Sequence, residues 1–156
     1  MANTAVTLTD MEILSAQERA ATGFTHKITI DYTDINSGTN ADDTVTVTIG
    51  NTPTKFAVLR CLGNVTTTFA GATNQLFSIE VGTDGDPNNF IASTELDAAA
   101  VSGPIGTAGA IPATLAGSVA NASDVLQVLF TNATAGSPSE LTAGSIDLWF
   151  ELSNIA

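Results

Sequence analysis

Basic residues are nearly missing from this chain of 156 residues: Arg19, Lys27, Lys55 and Arg60 stand against 16 acids, a formal charge of -12. Phosphate backbones are held by clustered Lys and Arg, so nucleic acid is excluded as a partner. Anionic membrane surfaces would repel the chain for the same reason. Cysteine occurs once, as Cys61 inside the apolar run from Phe56 to Leu62. No intrachain disulfide can form, and a buried strand thiol is expected. Histidine also occurs once, as His26. A single His without Cys or carboxylate at ligand spacing builds no zinc site. The chain has no Gly-x-Ser-x-Gly elbow to support a Ser-His-Asp triad. His26 is therefore expected to be a structural or surface residue.

Aromatics make up 6% of the chain, with one Trp. That is thin for a glycosidase cleft, which needs paired carboxylates and ring platforms. No hydrophobic run reaches the length of a membrane span. The start, Met1 to Val6, lacks the basic flank and apolar core of a signal peptide, which predicts a protein kept in a cytoplasm or released by lysis. The stretch Gly103 to Gly109 resembles a phosphate loop only loosely, because Pro104 and the lack of a following helix defeat it. No enzyme is expected. No repeat of 20 to 50 residues points to a solenoid.

What is present is small and β-forming. Ala, Thr, Gly, Asn and Ser abound, and Thr and Val recur in runs. Residues 8 to 21 read as one short helix, capped by Thr9 or Asp10 and ended by Gly23. From Phe24 the period becomes two. Ile28, Ile30 and Tyr32 share a face, and Thr44 to Ile49 alternates strictly. Lys55 to Leu62, Gln75 to Gly82, Phe90 to Leu96, Asp124 to Thr131 and Gly144 to Leu152 read as further strands, and Val65 to Phe69 as one more. Residues 97 to 120 form a long Ala/Gly/Ser-rich connection with room for one short strand. Ile146, Leu148, Phe150 and Leu152 share a face, so Trp149 points the other way. About eight strands without a βαβ rhythm predict a mostly β, antiparallel two-sheet sandwich, jelly-roll-like. The expected division is an N-terminal arm or helix over residues 1–23 and a β-sandwich over residues 24–156.

One motif carries chemistry. From Asp84 to Glu95, oxygen ligands fall at the spacing of a calcium loop of the EF-hand kind, from Asp84, Asp86, Asn88 and Glu95. Asn89 stands where that loop has Gly, and the flanks read as strands. The alternative is an ordinary polar hairpin turn. Calcium is the one cofactor to consider. The acids Asp31, Asp34, Asp42 and Asp43 with Asn36 form a weaker group. The glycosylation sequons at Asn64, Asn121 and Asn132 are explained by chance in an Asn- and Thr-rich chain.

In style the chain resembles the capsid decoration (cement) proteins and related small virion proteins of tailed bacteriophages. The features concerned are the short segment Ala2 to Gly23, the lysine-poor Thr/Ala/Gly-rich β domain with long small-residue loops, and the closing strand Gly144 to Leu152. The resemblance implies a structural protein of the virion, assembled in the host cytoplasm. It also implies a homotrimer on the outer capsid surface that braces the major capsid protein, with no catalytic residues. The contact elements expected are Thr7 to Ala21, with Leu8, Met11, Ile13 and Leu14, the loop Ala98 to Ala120, and Trp149. The alternative is a calcium-assisted carbohydrate- or cell-surface-binding sandwich of tail or adhesin type, working through Asp84 to Glu95.

Overall fold

The computed structural model describes residues 2–36, 42–54, 56–71, 77–96, 103–105, 124–132 and 138–154. In chain order these form β1 (Ala2–Leu8), β2 (Glu12–Ile13), α1 (Ala16–Thr22), β3 (His26–Asp31), α2 (Tyr32–Ile35) and β4 (Asp42–Ile49). There follow β5 (Phe56–Gly71), β6 (Phe77–Thr83), β7 (Asp86–Glu95), β8 (Gly103–Ile105), β9 (Leu126–Asn132) and β10 (Leu141–Asn154), with a 3-10 turn at Pro138–Glu140.

The period-two pattern makes the strands one-sided. Val45, Val47 and Ile49 of β4 are buried, while Thr44, Thr46 and Thr48 lie on its outer side. Leu126, Val128 and Phe130 of β9 and Ile146, Leu148 and Phe150 of β10 do the same. Two five-stranded sheets result, a first in the order β1-β4-β9-β6-β7 and a second in the order β2-β3-β10-β5-β8. From β3 to β10 the chain changes sheet at every connection except the β6–β7 hairpin. The two-sheet sandwich is as expected from the sequence.

One pairing departs from the antiparallel expectation: β1 runs parallel to β4, from Ala2 opposite Asp42 to Leu8 opposite Ile49. A parallel pair needs a long crossover. Here the crossover passes through β2, α1 and β3 on the second sheet before β4 returns to the first.

The buried faces of both sheets merge into one core. It contains an aromatic trio. Phe69 of β5 lies 5.5 Å from Phe77 of β6 and 6.1 Å from Phe130 of β9, and Phe77 stacks on Phe130 at 5.7 Å. Phe69 belongs to the second sheet and the other two to the first, so the trio bolts the layers together. Each such ring contributes about 1.5–3 kcal/mol by leaving water.

The division at residue 23 has no counterpart in the pairing. β1 edges the first sheet and β2 edges the second, pairing Glu12 with Lys27 and Ile13 with His26. Met11 and Leu14 are buried. The N-terminal segment is thus woven into the sandwich. The helix is also shorter than expected over residues 8 to 21, because Leu8 ends β1, Glu12–Ile13 form β2 and the capping residue is Ser15. Ser15 and Glu18 form a capping box, Ser15 Oγ accepting from Glu18 N and Glu18 accepting from Ser15 N at 2.9 Å. Gly23 ends the helix in the left-handed region, at φ 77°. The two strands expected between Lys55 and Phe69 are one, β5. Of the connection 97–120, β8 pairs with Gly63–Val65 at the sheet edge, and the remainder lies outside the described residues.

Candidate functional site

The motif from Asp84 to Glu95 does not close into a ligand loop. Asp84 and Gly85 are the turn of a hairpin whose second strand begins at Asp86, opposite Thr83. Glu95 pairs opposite Ser78. Those partners stand at opposite ends of β6, roughly 17 Å apart at strand rise, so Glu95 lies at the far end of the hairpin from Asp84. Strand continuation through Pro87 and Asn88 overrides the loop reading. Asp86, Asn88 and Glu95 are exposed. Asp84 is held by the backbone of β9's approach. Its Oδ1 accepts from Val125 N at 3.2 Å, while its own N–H donates to Val125 O at 3.2 Å. This two-point latch ties the hairpin turn to the start of β9.

The second acidic group is divided as well. Asp31 caps α2, accepting from Thr33 N at 2.9 Å, and Asp34 accepts from Asp31 N at 3.0 Å. Burial pushes the Asp34 carboxyl above its ordinary range, against the opposing effect of that backbone hydrogen bond. The side chains of Asp42 and Asp43 lie outside the described residues. Among the described residues no three His, Cys, Asp or Glu side chains stand close enough to hold a metal ion. Cys61 is buried in the core, and burial drives its thiol far above the ordinary value, so it stays a neutral packing group.

The expected contact residues separate into three kinds. Met11 and Leu14 are consumed by the chain's own interior, and Leu8 packs partly buried against the core. Ile13 is 75% exposed, the one large apolar side chain so displayed among the described residues. Trp149 points away from the core, as its register predicts, and joins a strip across the outer face of the second sheet. Its ring lies 6.3 Å from Phe24 and carries Lys27 Nζ 4.8 Å from its centroid. Arg60 stands 4.7 Å over the Phe24 ring. The strip ends in ion pairs, Lys27 with Asp147 at 3.3 Å and Arg60 with Glu151 at 2.6 Å. Arg60 also donates to Gly23 O at 2.7 Å, which fastens the end of α1 to the sheet.

Beside Ile13 opens a recess of about 310 Å³, lined by Ile13, His26, Pro53, Phe56 and Leu152. Strand pairing builds it: β2 brings Ile13 to His26, and the end of β10 brings Asn154 opposite Phe56. The His26 ring is fixed from behind, with Nδ1 2.7 Å from Thr25 Oγ1. That hydroxyl accepts from Leu152 N at 2.9 Å and lies 3.2 Å from Phe150 O. Burial, and after it the charge of Arg19, hold the imidazole below its ordinary 6.5. Sequence reasoning missed this recess, and no local signal could have found it, since its five residues come from four separated segments. Only the exposed Ile13 lay in a stretch already expected to make contacts.

The fold and this surface together define a two-layer β-sandwich with a shallow apolar recess at one sheet edge. Comparison with protein-family models, with curated proteins and with solved structures finds no match for the chain.

Proposed function

We propose that the chain is a non-enzymatic structural protein of a virion, of the capsid decoration type, working through subunit contacts at its surface. The observation that supports this most is the placing of the first strands. Among the described strands β1 and β2 lie outermost on their sheets, and β2 displays Ile13. Unpaired strand edges and an exposed apolar side chain are the features by which a rigid sandwich joins neighbours. We read the strand orders β3-β10-β5-β8 and β4-β9-β6-β7 as those of a jelly roll, with β1 and β2 added at the edges. The proposed partners are two further copies of the chain and a major capsid protein, met on the outer shell after assembly in the host cytoplasm. The carbohydrate-binding alternative loses its motif, because the calcium spacing is spread along a hairpin.

Two measurements test the proposal. Light scattering on the purified chain should give the mass of three copies, and the chain should sediment with icosahedral shells lacking it. A monomer that leaves shells untouched would remove this function.

A further inference from the structure

Among the described strands four lie outermost: β1 and β7 on the first sheet, β2 and β8 on the second. An open strand edge is a template for a further strand, and proteins blunt it with charge, proline, bulges or shortness. Three of these edges are blunted. β2 has two residues and includes Glu12, and β8 has three and includes Pro104. β7 carries Asp86, Pro87 and Glu95, and its register on β6 is broken twice. β1 has seven residues with neither charge nor proline, and from Asn3 to Leu8 it follows β4 in unbroken register.

Backbone phase fixes which groups face outward. Leu8 O accepts from Gly50 N at 2.7 Å, so the peptide groups of Leu8 turn towards β4, as do those of Val6 and Thr4 in the same phase. Those of Asn3, Ala5 and Thr7 turn to the open side. The side chains of Ala5 and Thr7 are exposed, and both are small.

We propose that this edge pairs with the same edge of a second copy, antiparallel and centred on Ala5. Asn3 then faces Thr7, and Ala5 faces Ala5 across a twofold axis. In that register every outward residue from Asn3 to Thr7 meets an outward residue, and each pair exchanges both N–H···O bonds. Thr4, Val6 and Leu8, half-buried, keep to one face on both copies.

Charge selects this occupant and its direction. A second copy offers at β1 an uncharged strand of matching phase, whereas its other outermost strands bring charge or proline. The chain carries -12, yet no acid lies between Asn3 and Leu8 or between Thr44 and Ile49. The acids of β6 and β7 stand three and four strands away. Antiparallel pairing sets the two Asp42 ends of β4 roughly 20 Å apart along the strands, well beyond the Debye length of about 8 Å at 0.15 M salt. Parallel pairing would set them side by side. Asp10, just past Leu8, is the acid left near the seam, where salt screens it. A seam of seven residues a side falls below the roughly 1,200 Å² of a stable complex. The pair therefore forms when copies are crowded and parts when they are dilute. It goes beyond the structural role proposed above, and either can fail alone.

The test uses the full chain from dilute to millimolar concentration, with amide exchange read by NMR. Exchange at Ala5 and Thr7 should slow about twofold at the concentration that pairs half the copies, while Val6 and Leu8 stay unchanged. Ala5→Pro removes an outward N–H and no bond to β4, so it should fold as before and lose the concentration dependence at Thr7. Cys61 is buried, so an introduced thiol is the one that reacts. Ala5→Cys sets two thiols on the axis with Cα atoms about 5.5 Å apart, within disulfide reach, and a mild thiol oxidant should give covalent dimer. Thr7→Cys leaves its two copies about 14 Å apart and should give none. The proposal is overturned by equal crosslinking of the two variants, or by concentration dependence that persists in Ala5→Pro. It is overturned too if Ala5 and Thr7 exchange at one rate throughout, whether fast or already protected in the dilute chain. It also falls if Ala5→Pro abolishes sedimentation with icosahedral shells while Ala5→Cys gives no dimer, since the edge would then take a strand from the shell.

Discussion

Gly144 shows how closely single residues are fitted. Its φ of 141° is one that side-chain-bearing residues rarely adopt, and a Cβ there would meet the Phe69 ring at 2.2 Å. Phe69 rests on bare backbone at the centre of the aromatic trio. Gly144→Ala should cost roughly 2–4 kcal/mol, from backbone strain together with overpacking. A urea titration should show the lowered midpoint. Gly85→Ala is the control, since its Cβ would meet only Thr83 Oγ1 at 4.0 Å; it should change stability by less than about 0.5 kcal/mol. His26 acts through protons. Its folded value lies below 6.5, so the unfolded chain takes up a proton that the folded chain refuses. Stability is then full above pH 6.5 and falls as pH drops from there towards the folded value. Thermal midpoints of His26→Gln should lose this part of the pH dependence; an unchanged slope would mean that the imidazole titrates alike in both states.

At the scale of elements, the strands were legible because alternation and burial coincide. Val45, Val47 and Ile49, or Ile146, Leu148 and Phe150, can be read directly as one buried face. The N-terminal segment was not legible, because its pairing is non-local. Nothing in Ala2–Leu8 names β4 as its parallel partner, and the Ser15–Glu18 capping box lay inside a longer helical pattern. The calcium spacing misled for a related reason: ligand intervals along a chain say nothing of whether the chain turns or runs on as a strand. The recess was illegible altogether, being assembled from strand ends far apart in sequence. The pairing of β1 and β2 can be tested by truncation and by substitution. Removing residues 1–23 should lower the thermal midpoint sharply or prevent folding, since it strips an edge from each sheet and takes Met11 and Leu14 from the interior. Met11→Ala alone should cost about 2–4 kcal/mol, the usual loss for a buried large side chain. A truncated chain that melted like the full one would restore the separate-arm division at residue 23.

For the whole molecule, the dominant quantity is charge. Each copy carries -12, and the three copies of the proposed trimer must be held together against that repulsion. The described strands of the first sheet carry acids and no Lys or Arg, while both ion pairs lie on the second sheet. Repulsion is therefore least where the second sheets approach one another edge on at β2, which displays Ile13. Screening decides how far the rest is felt. The Debye length is about 30 Å at 0.01 M salt and about 8 Å at 0.15 M, so copies repel across a whole domain at low salt and only at contact near physiological salt. Sedimentation velocity across that range should show monomer at about 0.01 M sodium chloride and trimer at about 0.15 M. Ile13→Asp should hold the chain as monomer at both, because it adds a charge where apolar contact is needed while leaving the core untouched. A trimer equally stable at both salts, or one indifferent to Ile13→Asp, would place the contact on some other surface of the sandwich.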